Sequence, residues 1–325
     1  MEEPLYKCSK GALIVREKLK KYLEKRRTRD GIFYTVLVFF PLLQFVIFYL
    51  GVNINSILLA FKSYGEDGGY HWSGLDNFKT LFTNFRDLTV FGVGLRNSLT
   101  VFLVGTATGM ICGILFSYYI YKKAPLKNFF KIMLFLPSII PSIALVVMFK
   151  QIADGAFPAF FDVLGQTVNG LLSNAGTTFG TILFYNIWAG FGVSILLYVG
   201  AMSNISESVV EAAKLDGAGY FKELRYITLP LIWETMSTFL IVAVGGIFVN
   251  QANIYAFYSD AAEERIVTIG YWLYKETVKP NGYADYPMLS AFGLLLSFIT
   301  IPLVYFIKHL LARNGPGYEK KGRRR

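Results

Sequence analysis

Long apolar runs alternate with short polar stretches along the chain, and most runs are long enough to cross a bilayer. A membrane-spanning helix needs about 20 mostly apolar residues. The pattern predicts an all-α membrane protein with six transmembrane helices. The predicted spans are residues 32–50, 98–121, 129–149, 181–202, 231–254 and 288–311. The first is expected to continue as helix to about residue 61, with Pro41 able to kink it.

Composition supports this prediction. Of 325 residues, 54% are hydrophobic and 17% aromatic, and the mean hydropathy is +0.44. Charged residues make up only 17%, whereas soluble domains average about 25%. The net charge of +10 could suggest nucleic-acid binding. The basic residues instead cluster beside the apolar runs, as membrane topology requires, so we expect lipid contact and no nucleic-acid partner.

The basic residues also predict an orientation. Of the 32 Lys and Arg residues, 24 fall in residues 1–30, 122–131, 203–230 and 308–325. The other eight lie in the loops on the opposite side. Because Lys and Arg accumulate on the cytoplasmic side, both termini are predicted to be cytoplasmic. The predicted organisation is a basic tail (1–30), a transmembrane domain (31–311) that contains a polar segment at 203–230, and a basic tail (312–325).

That polar segment reads as a helix, a glycine turn and a second short helix. Asn204 is the predicted N-cap, with Glu207 completing a capping box. Glycine tolerates the left-handed conformation of a helix C-terminus, so Gly217 and Gly219 should end the first helix. Pro230 fits the first turn of the next membrane helix. One small apolar face is predicted from Val209, Ala212, Ala213 and Leu215.

The same segment resembles the EAA loop of the membrane permeases of bacterial binding-protein-dependent ABC importers. The residues that carry the resemblance are Glu211, Ala212, Ala213, Gly217, Ile227, Leu229 and Pro230. It implies a type I ABC importer permease fold in the bacterial inner membrane. It also implies contact of these residues with a separate ATPase dimer. For Asp216, a coupling role and a plain surface charge remain equally open, and an ordinary amphipathic helix-loop is the alternative for the whole segment.

Further phrases resemble sugar permeases, in particular the larger permease of the maltose-transporter pair. They include residues 72–78 (WSGLDNF), the RNSLT stretch before the second span and the pair Pro137 and Pro141. The resemblance implies a second permease subunit and an extracellular sugar-binding lipoprotein as partners. Aromatic faces and amides suit sugars, and polar residues inside a membrane tend to face cavities. The candidate pathway residues are Tyr185, Asn186, Trp188, Phe248, Asn250, Gln251 and Tyr255, with helix packing or an interfacial belt as the alternative for each.

The sequence offers little material for catalysis. It contains no G-x-x-x-x-G-K-[ST] phosphate loop, so we expect no ATP hydrolysis or cofactor in this chain, with ATP and Mg²⁺ bound by the partner subunits. Because its two histidines, His71 and His309, are far apart, we expect neither a metal centre nor a Ser-His-Asp catalytic arrangement. Cys8 and Cys112 are not expected to form a disulfide or a thiolate metal site. The alternatives are a permease for a peptide, polyol or phosphorylated sugar, and a membrane assembly or sensor subunit without transport.

Overall fold

The computed structural model describes residues 26–65, 68–84, 89–279 and 285–316. Most of both basic tails, with Cys8, lies outside these residues. The α-helices in chain order are α1 (Arg26–Gln44), α2 (Val52–Leu59), α3 (Asp76–Asn84), α4 (Thr89–Tyr121), α5 (Lys127–Ile139), α6 (Ser142–Gln151), α7 (Phe157–Val163), α8 (Thr178–Ser203), α9 (Glu207–Leu215), α10 (Tyr220–Glu223), α11 (Leu229–Leu231), α12 (Trp233–Gly245), α13 (Ile254–Tyr258), α14 (Ile269–Thr277) and α15 (Tyr286–Asn314). Strands β1 (Lys62–Tyr64) and β2 (Tyr70–Trp72) form an antiparallel hairpin in which Ser63 is opposite His71.

Within the described residues, five helical stretches are long and apolar enough to cross a membrane, and a bent helix pair adds a sixth. The prediction of six transmembrane helices is therefore confirmed. We number them as spans in chain order. Spans 1 to 4 are Asp30–Leu59, Phe91–Tyr121, Ser142–Val163 and Thr178–Ser203, span 5 is the pair Tyr220–Leu231 and Trp233–Gly245, and span 6 is Tyr286–Asn314.

Span 1 continues as helix to Leu59, close to the predicted limit. Its α-helical parts are joined by a π-helical segment, Phe45–Gly51, and Pro41 lies inside α1. The side chains of residues 30–58 are exposed along the whole span, and most are apolar. A surface of this kind is suited to lipid or to another apolar helix.

The predicted third span, residues 129–149, is wrong as a single helix. Helix α5 ends at Ile139, and Ile140 has extended dihedral angles (φ −74°, ψ 135°). The residue before a proline is driven away from helical geometry, so Pro141 accounts for this break. A new helix starts at Ser142 and continues through a π-helical segment, Ile152–Ala156, to Val163. Span 3 is therefore shifted along the sequence from the prediction.

The predicted fifth span, residues 231–254, is wrong at its C-terminal end and is not one straight helix. Span 5 bends by 67° between its two parts. Its second part, α12, ends at Gly245, and the chain runs without regular helix to α13 at Ile254. We call residues 246–253 the span-5 loop. Ala252 and Asn253 in this loop have positive φ angles of 49° and 54°, which only long-range contacts could specify.

Three clusters of buried side chains hold the helices together. The first joins spans 2, 3 and 4 to the span-5 loop and the helices after it, and includes Val146, Tyr185, Ala252 and Tyr271. The second joins spans 2, 5 and 6 to the residues after α2, and includes Ala60, Phe248 and Phe292. The third lies at the other end of the bundle, around Tyr118, Tyr198, Leu224 and Ile232. This third cluster fixes the polar segment to spans 2 and 4.

Candidate coupling segment and cavities

Residues 203–230, which we call the EAA segment, form the predicted helix, turn and helix. Helix α9 starts after Ser206, and Asn204 instead ends span 4 with its backbone N–H bonded to the carbonyls of Ala201 and Met202. The prediction of Asn204 as N-cap is therefore wrong. Asn204 caps the C-terminus of span 4, and the N-cap position of α9 falls two residues later, at Ser206. No side chain caps α9 there.

The turn after α9 is a glycine-dependent helix end. Gly217 has a φ of 72°. Its N–H bonds the carbonyl of Lys214 at 3.0 Å, and the N–H of Ala218 bonds the carbonyl of Ala213 at 2.9 Å. These two bonds form a Schellman motif, which confirms that Gly217 ends the helix. Gly219 is extended (φ −72°, ψ 169°), so the left-handed conformation predicted for glycine applies to Gly217 and not to Gly219.

The EAA segment has an inner and an outer face. Val210 and Ala213 are buried against the chain itself, so Ala213 does not belong to a free face as predicted. Glu211, Ala212, Asp216 and Gly217 are exposed, and Ile227, Leu229 and Pro230 are half-buried at the base. Pro230 lies in the first turn of the short helix α11, as predicted, and α12 begins after the bend at Ile232.

The outer face carries large apolar side chains. Leu215 is 89% exposed and Phe221 is 74% exposed. Tyr220 and Tyr226 are similarly exposed. Water disfavours so many exposed apolar groups on a polar segment, and a patch of this kind marks an interaction surface.

A buried ion pair joins the EAA segment to the end of span 2. The Nζ of Lys122 pairs with the Oε1 of Glu223, and the two side chains are 14% and 2% exposed. The hydroxyl of Tyr118 donates to the carbonyl of Tyr220 at 2.9 Å. Lys122 also lies within 5.5 to 5.9 Å of the ring centres of Tyr118, Tyr121 and Tyr220. Lys122 and Glu223 are not among the residues predicted from the sequence, because they are far apart in the chain and no local pattern links them.

Two cavities lie along the candidate pathway. The central cavity, of about 530 Å³, lies between spans 2, 4 and 5 and is lined in part by Ser98, Thr106, Asn186 and Asn250. The second, which we call the loop cavity, has a volume of about 660 Å³. It lies beside the span-5 loop, and its polar and aromatic lining includes Asn250, Gln251, Asn253, Tyr255, Ser259 and Tyr274. Asn250 lines both cavities.

The span-5 loop is held by side-chain amides and by close backbone packing. Asn186 donates from Nδ2 to the carbonyls of Ile182 and Ala252, both at 2.8 Å, and its Oδ1 accepts from Asn253 Nδ2 at 2.6 Å. The Thr268 hydroxyl donates to the carbonyl of Asn250 at 3.1 Å. Irregular backbone at membrane depth is tolerated where it lines a cavity and its polar groups are bonded. The loop meets both conditions.

The structure brings together four of the seven candidate pathway residues, Asn186, Asn250, Gln251 and Tyr255. Tyr185 instead lies in the core, with its ring centre 5.0 Å from those of Phe149 and Phe257. Trp188 is half-buried and stacks with Phe149, and Phe248 is buried in the second cluster. For these three aromatic residues, the described conformation favours the packing alternative.

Six spans with an exposed helix-turn-helix at one end, and cavities between the spans that combine amide and hydroxyl groups with apolar residues, are the architecture of a multi-pass membrane transport subunit. Residues 105–319 match the family of binding-protein-dependent transport system inner membrane components, and the chain belongs to that family. The match spans the EAA segment, the last four spans and part of span 2. Membership places the chain in the inner membrane as a component of a transport system, which is a role distinct from that of an enzyme.

Named relatives and a solved structure are similar over much of the chain. The multiple sugar-binding transport system permease protein MsmF of Streptococcus mutans is 24% identical, with 84% of this chain and 92% of that protein covered. The galactooligosaccharides transport system permease protein GanP of Bacillus subtilis is 28% identical, with 76% of this chain and 62% of that protein covered. A bacterial alginate ABC transporter, crystallised with its alginate pentasaccharide-bound periplasmic protein, shares the fold at a TM-score of 0.71 and 22% identity, covering 89% of this chain and 96% of that chain.

Proposed function

We propose that this chain is a permease subunit of a binding-protein-dependent ABC importer and forms half of a pathway for a sugar or oligosaccharide. The observation that carries the proposal is the EAA segment. It is an exposed, largely polar segment that carries large exposed apolar side chains, it is fixed by a buried cluster to spans 2 and 4, and it has the EAA motif at each fixed position. A separate ATPase dimer docks on it and supplies the energy, with ATP and Mg²⁺ bound there.

Alternating access then follows from a two-state equilibrium. Closure of the ATPase dimer moves the EAA segment, and the spans behind it shift the cavities from one side of the membrane to the other. A second, homologous permease completes the pathway, and an extracellular binding protein delivers the substrate. The EAA segment and both termini are cytoplasmic in this arrangement, as the distribution of Lys and Arg predicts.

The lining of the cavities supports a sugar as the substrate. Asn186, Asn250, Gln251 and Tyr255 offer amide donors and acceptors and an aromatic face, the groups that bind hydroxyl-rich rings. The names of MsmF and GanP point to the same class of substrate. The subunit as a whole thus combines an uncharged lining of mixed polar and apolar groups with an exposed segment suited to a motor protein.

The test is reconstitution. The chain is co-expressed with its second permease and ATPase, purified, and placed in proteoliposomes with the binding protein and labelled oligosaccharides. We expect an assembled complex, uptake that requires ATP, and loss of uptake with normal membrane insertion in the Glu211→Lys variant. Purification of this chain without an ATPase, or uptake that is independent of ATP, would contradict the proposal. Uptake of peptides in place of oligosaccharides would contradict the substrate class alone.

A further inference from the structure

The EAA segment reaches the central cavity by two physical routes. One is the chain itself, which turns by 67° at the junction between Leu231 and Trp233. Beyond the turn, α12 lines the cavity through Val242 and Ala243. The other crosses from α10 to the end of span 2 through the Lys122–Glu223 ion pair. Span 2 is part of one continuous helix of 33 residues, α4, and it lines the same cavity through Ser98, Gly105 and Thr106.

The second route is the stiffer one. From Lys122 to Gly105 along α4 is about 25 Å at 1.5 Å per residue, without a break in the helix. At the C-terminal end of α4, three kinds of contact fix α10 to span 2. They are the ion pair, the hydrogen bond from Tyr118 to the carbonyl of Tyr220, and the aromatic rings around the Lys122 ammonium group. A displacement of Tyr220 or Glu223 must therefore displace the end of span 2.

Because the Lys122–Glu223 pair is buried, we infer that it specifically connects α10 with the end of span 2. An ion pair at an exposed surface is weak and easily remade, whereas removal of one partner from a buried pair leaves an uncompensated charge. Glu223 is 2% exposed, yet it immediately follows a stretch that includes the exposed rings of Tyr220 and Phe221. The pair thus lies directly behind the surface on which the motor docks.

We propose that Lys122 and Glu223 are positioning residues that transmit the movement of the EAA segment to span 2, and through span 2 to the central cavity. This inference rests on the proposed importer function. Movement driven by ATP hydrolysis would then reach the central cavity through span 2, and not only through α12, the helix that follows the EAA segment in the chain. The ion pair remains intact while α10 and the end of span 2 move together.

The experiment compares transport with ATP consumption in the complete reconstituted transporter. The variants are Glu223→Gln, Lys122→Met, the double neutral variant Lys122→Met with Glu223→Gln, and the exchange Lys122→Glu with Glu223→Lys. Lys123→Met is the matched control, because Lys123 is the exposed neighbour of Lys122. The quantity measured is the number of substrate molecules imported per ATP hydrolysed by complexes that have assembled.

We expect each single variant and the double neutral variant to import roughly 10-fold less substrate per ATP, within the usual range of coupling between sites. The charge exchange should restore part of the loss, because it re-forms the ion pair but places a carboxylate against tyrosine rings that favour a cation. Lys123→Met should match the unmodified chain. Misfolding would remove active complexes and lower transport and ATP hydrolysis together, so the ratio separates coupling from stability.

Two outcomes overturn the inference. One is an unchanged import ratio in assembled complexes of the single and double neutral variants. The other is a charge exchange that restores assembly without restoring the ratio. Failure of the proposed function would be visible separately, because neither the unmodified chain nor any variant would then show ATP-dependent import.

Discussion

Asn186 in span 4 donates a hydrogen bond of 2.8 Å to the carbonyl oxygen of Ala252 in the span-5 loop. The same side chain accepts a 2.6 Å bond from Asn253. One amide thus holds two successive residues with positive φ angles, beside cavities that the loop lines. The irregular part of the pathway is fixed from outside its own sequence.

Replacement of Asn186 tests this connection. Asn186→Leu removes the partner of the Ala252 carbonyl and of the half-buried Asn253 amide, and the loss of each hydrogen bond costs about 0.5–1.5 kcal/mol. We expect a lower melting temperature of the purified complex and weaker substrate uptake. Asn53→Leu is the control, since the Asn53 amide bonds the carbonyl of Tyr49 within its own exposed helix. Equal melting temperatures for both variants would show that Asn186 does not hold the loop.

Close packing at Gly270 gives a second prediction about the same loop. A Cβ atom at this position would lie 2.6 Å from the carbonyl carbon and oxygen of Val249. Backbone atoms cannot yield as a flexible side chain would, so Gly270→Ala should destabilise the subunit by about 1–3 kcal/mol, as overpacked sites do. Thermal unfolding of the purified complex measures the effect.

Gly94 supplies the control for that substitution. Its added Cβ would meet only ordinary contacts, at 3.5 Å from Ile269, so Gly94→Ala should change the melting temperature little. A Gly270→Ala complex as stable as the Gly94→Ala complex would show that the loop can move away from α14 at low cost.

The turn of the EAA segment can be tested by a pair of glycines. A side chain at Gly217, with its φ of 72°, costs about 1–2 kcal/mol of backbone strain, although there is open space around it. Gly219 is extended and accepts alanine without this strain. We therefore expect Gly217→Ala to lower transport and substrate-stimulated ATP hydrolysis more than Gly219→Ala does, with Gly217→Asp blocking transport. Similar activities in the two alanine variants would argue against a required left-handed turn.

The exposed apolar residues of the EAA segment should matter for assembly and not for folding. Phe221→Ala and Leu215→Asp remove apolar groups that are already in water in the isolated chain. We expect little change in the thermal stability of this subunit alone, and reduced recovery of the ATPase with it during purification. Val163→Asp, at an equally exposed apolar site outside the segment, is the control. Normal recovery of the ATPase with the Phe221 and Leu215 variants would remove these residues from the docking surface.

Much of the fold can be predicted from hydropathy, because a bilayer demands apolar runs of a set length. Spans 1, 2, 4 and 6 follow from that demand alone. The predicted position of span 3 is wrong because the apolar run continues through Pro141. Hydropathy alone cannot detect the helix break between Ile139 and Ser142. Span 5 was extended too far because its end depends on Asn186 and Gly270, which lie outside the predicted span.

The candidate site shows the same division. The EAA motif is local, so its helix, its Gly217 turn and its exposure were predictable, although the side on which Ala213 packs was not. The Lys122–Glu223 pair was not predictable, since a lysine at the end of a span is already explained by membrane topology. Only the folded chain brings the two residues together.

The central claim is that a separate ATPase acts on the EAA segment from the cytoplasm. Its most direct test is a photoactivated cross-linker on Leu215→Cys, in a chain with Cys8 and Cys112 replaced by serine, within the assembled and transporting complex. We expect an adduct with the ATPase subunit, and labelling of the free chain by a membrane-impermeant thiol reagent only from the cytoplasmic side. Labelling from the outside, or the absence of an ATPase adduct in complexes that still transport, would contradict it.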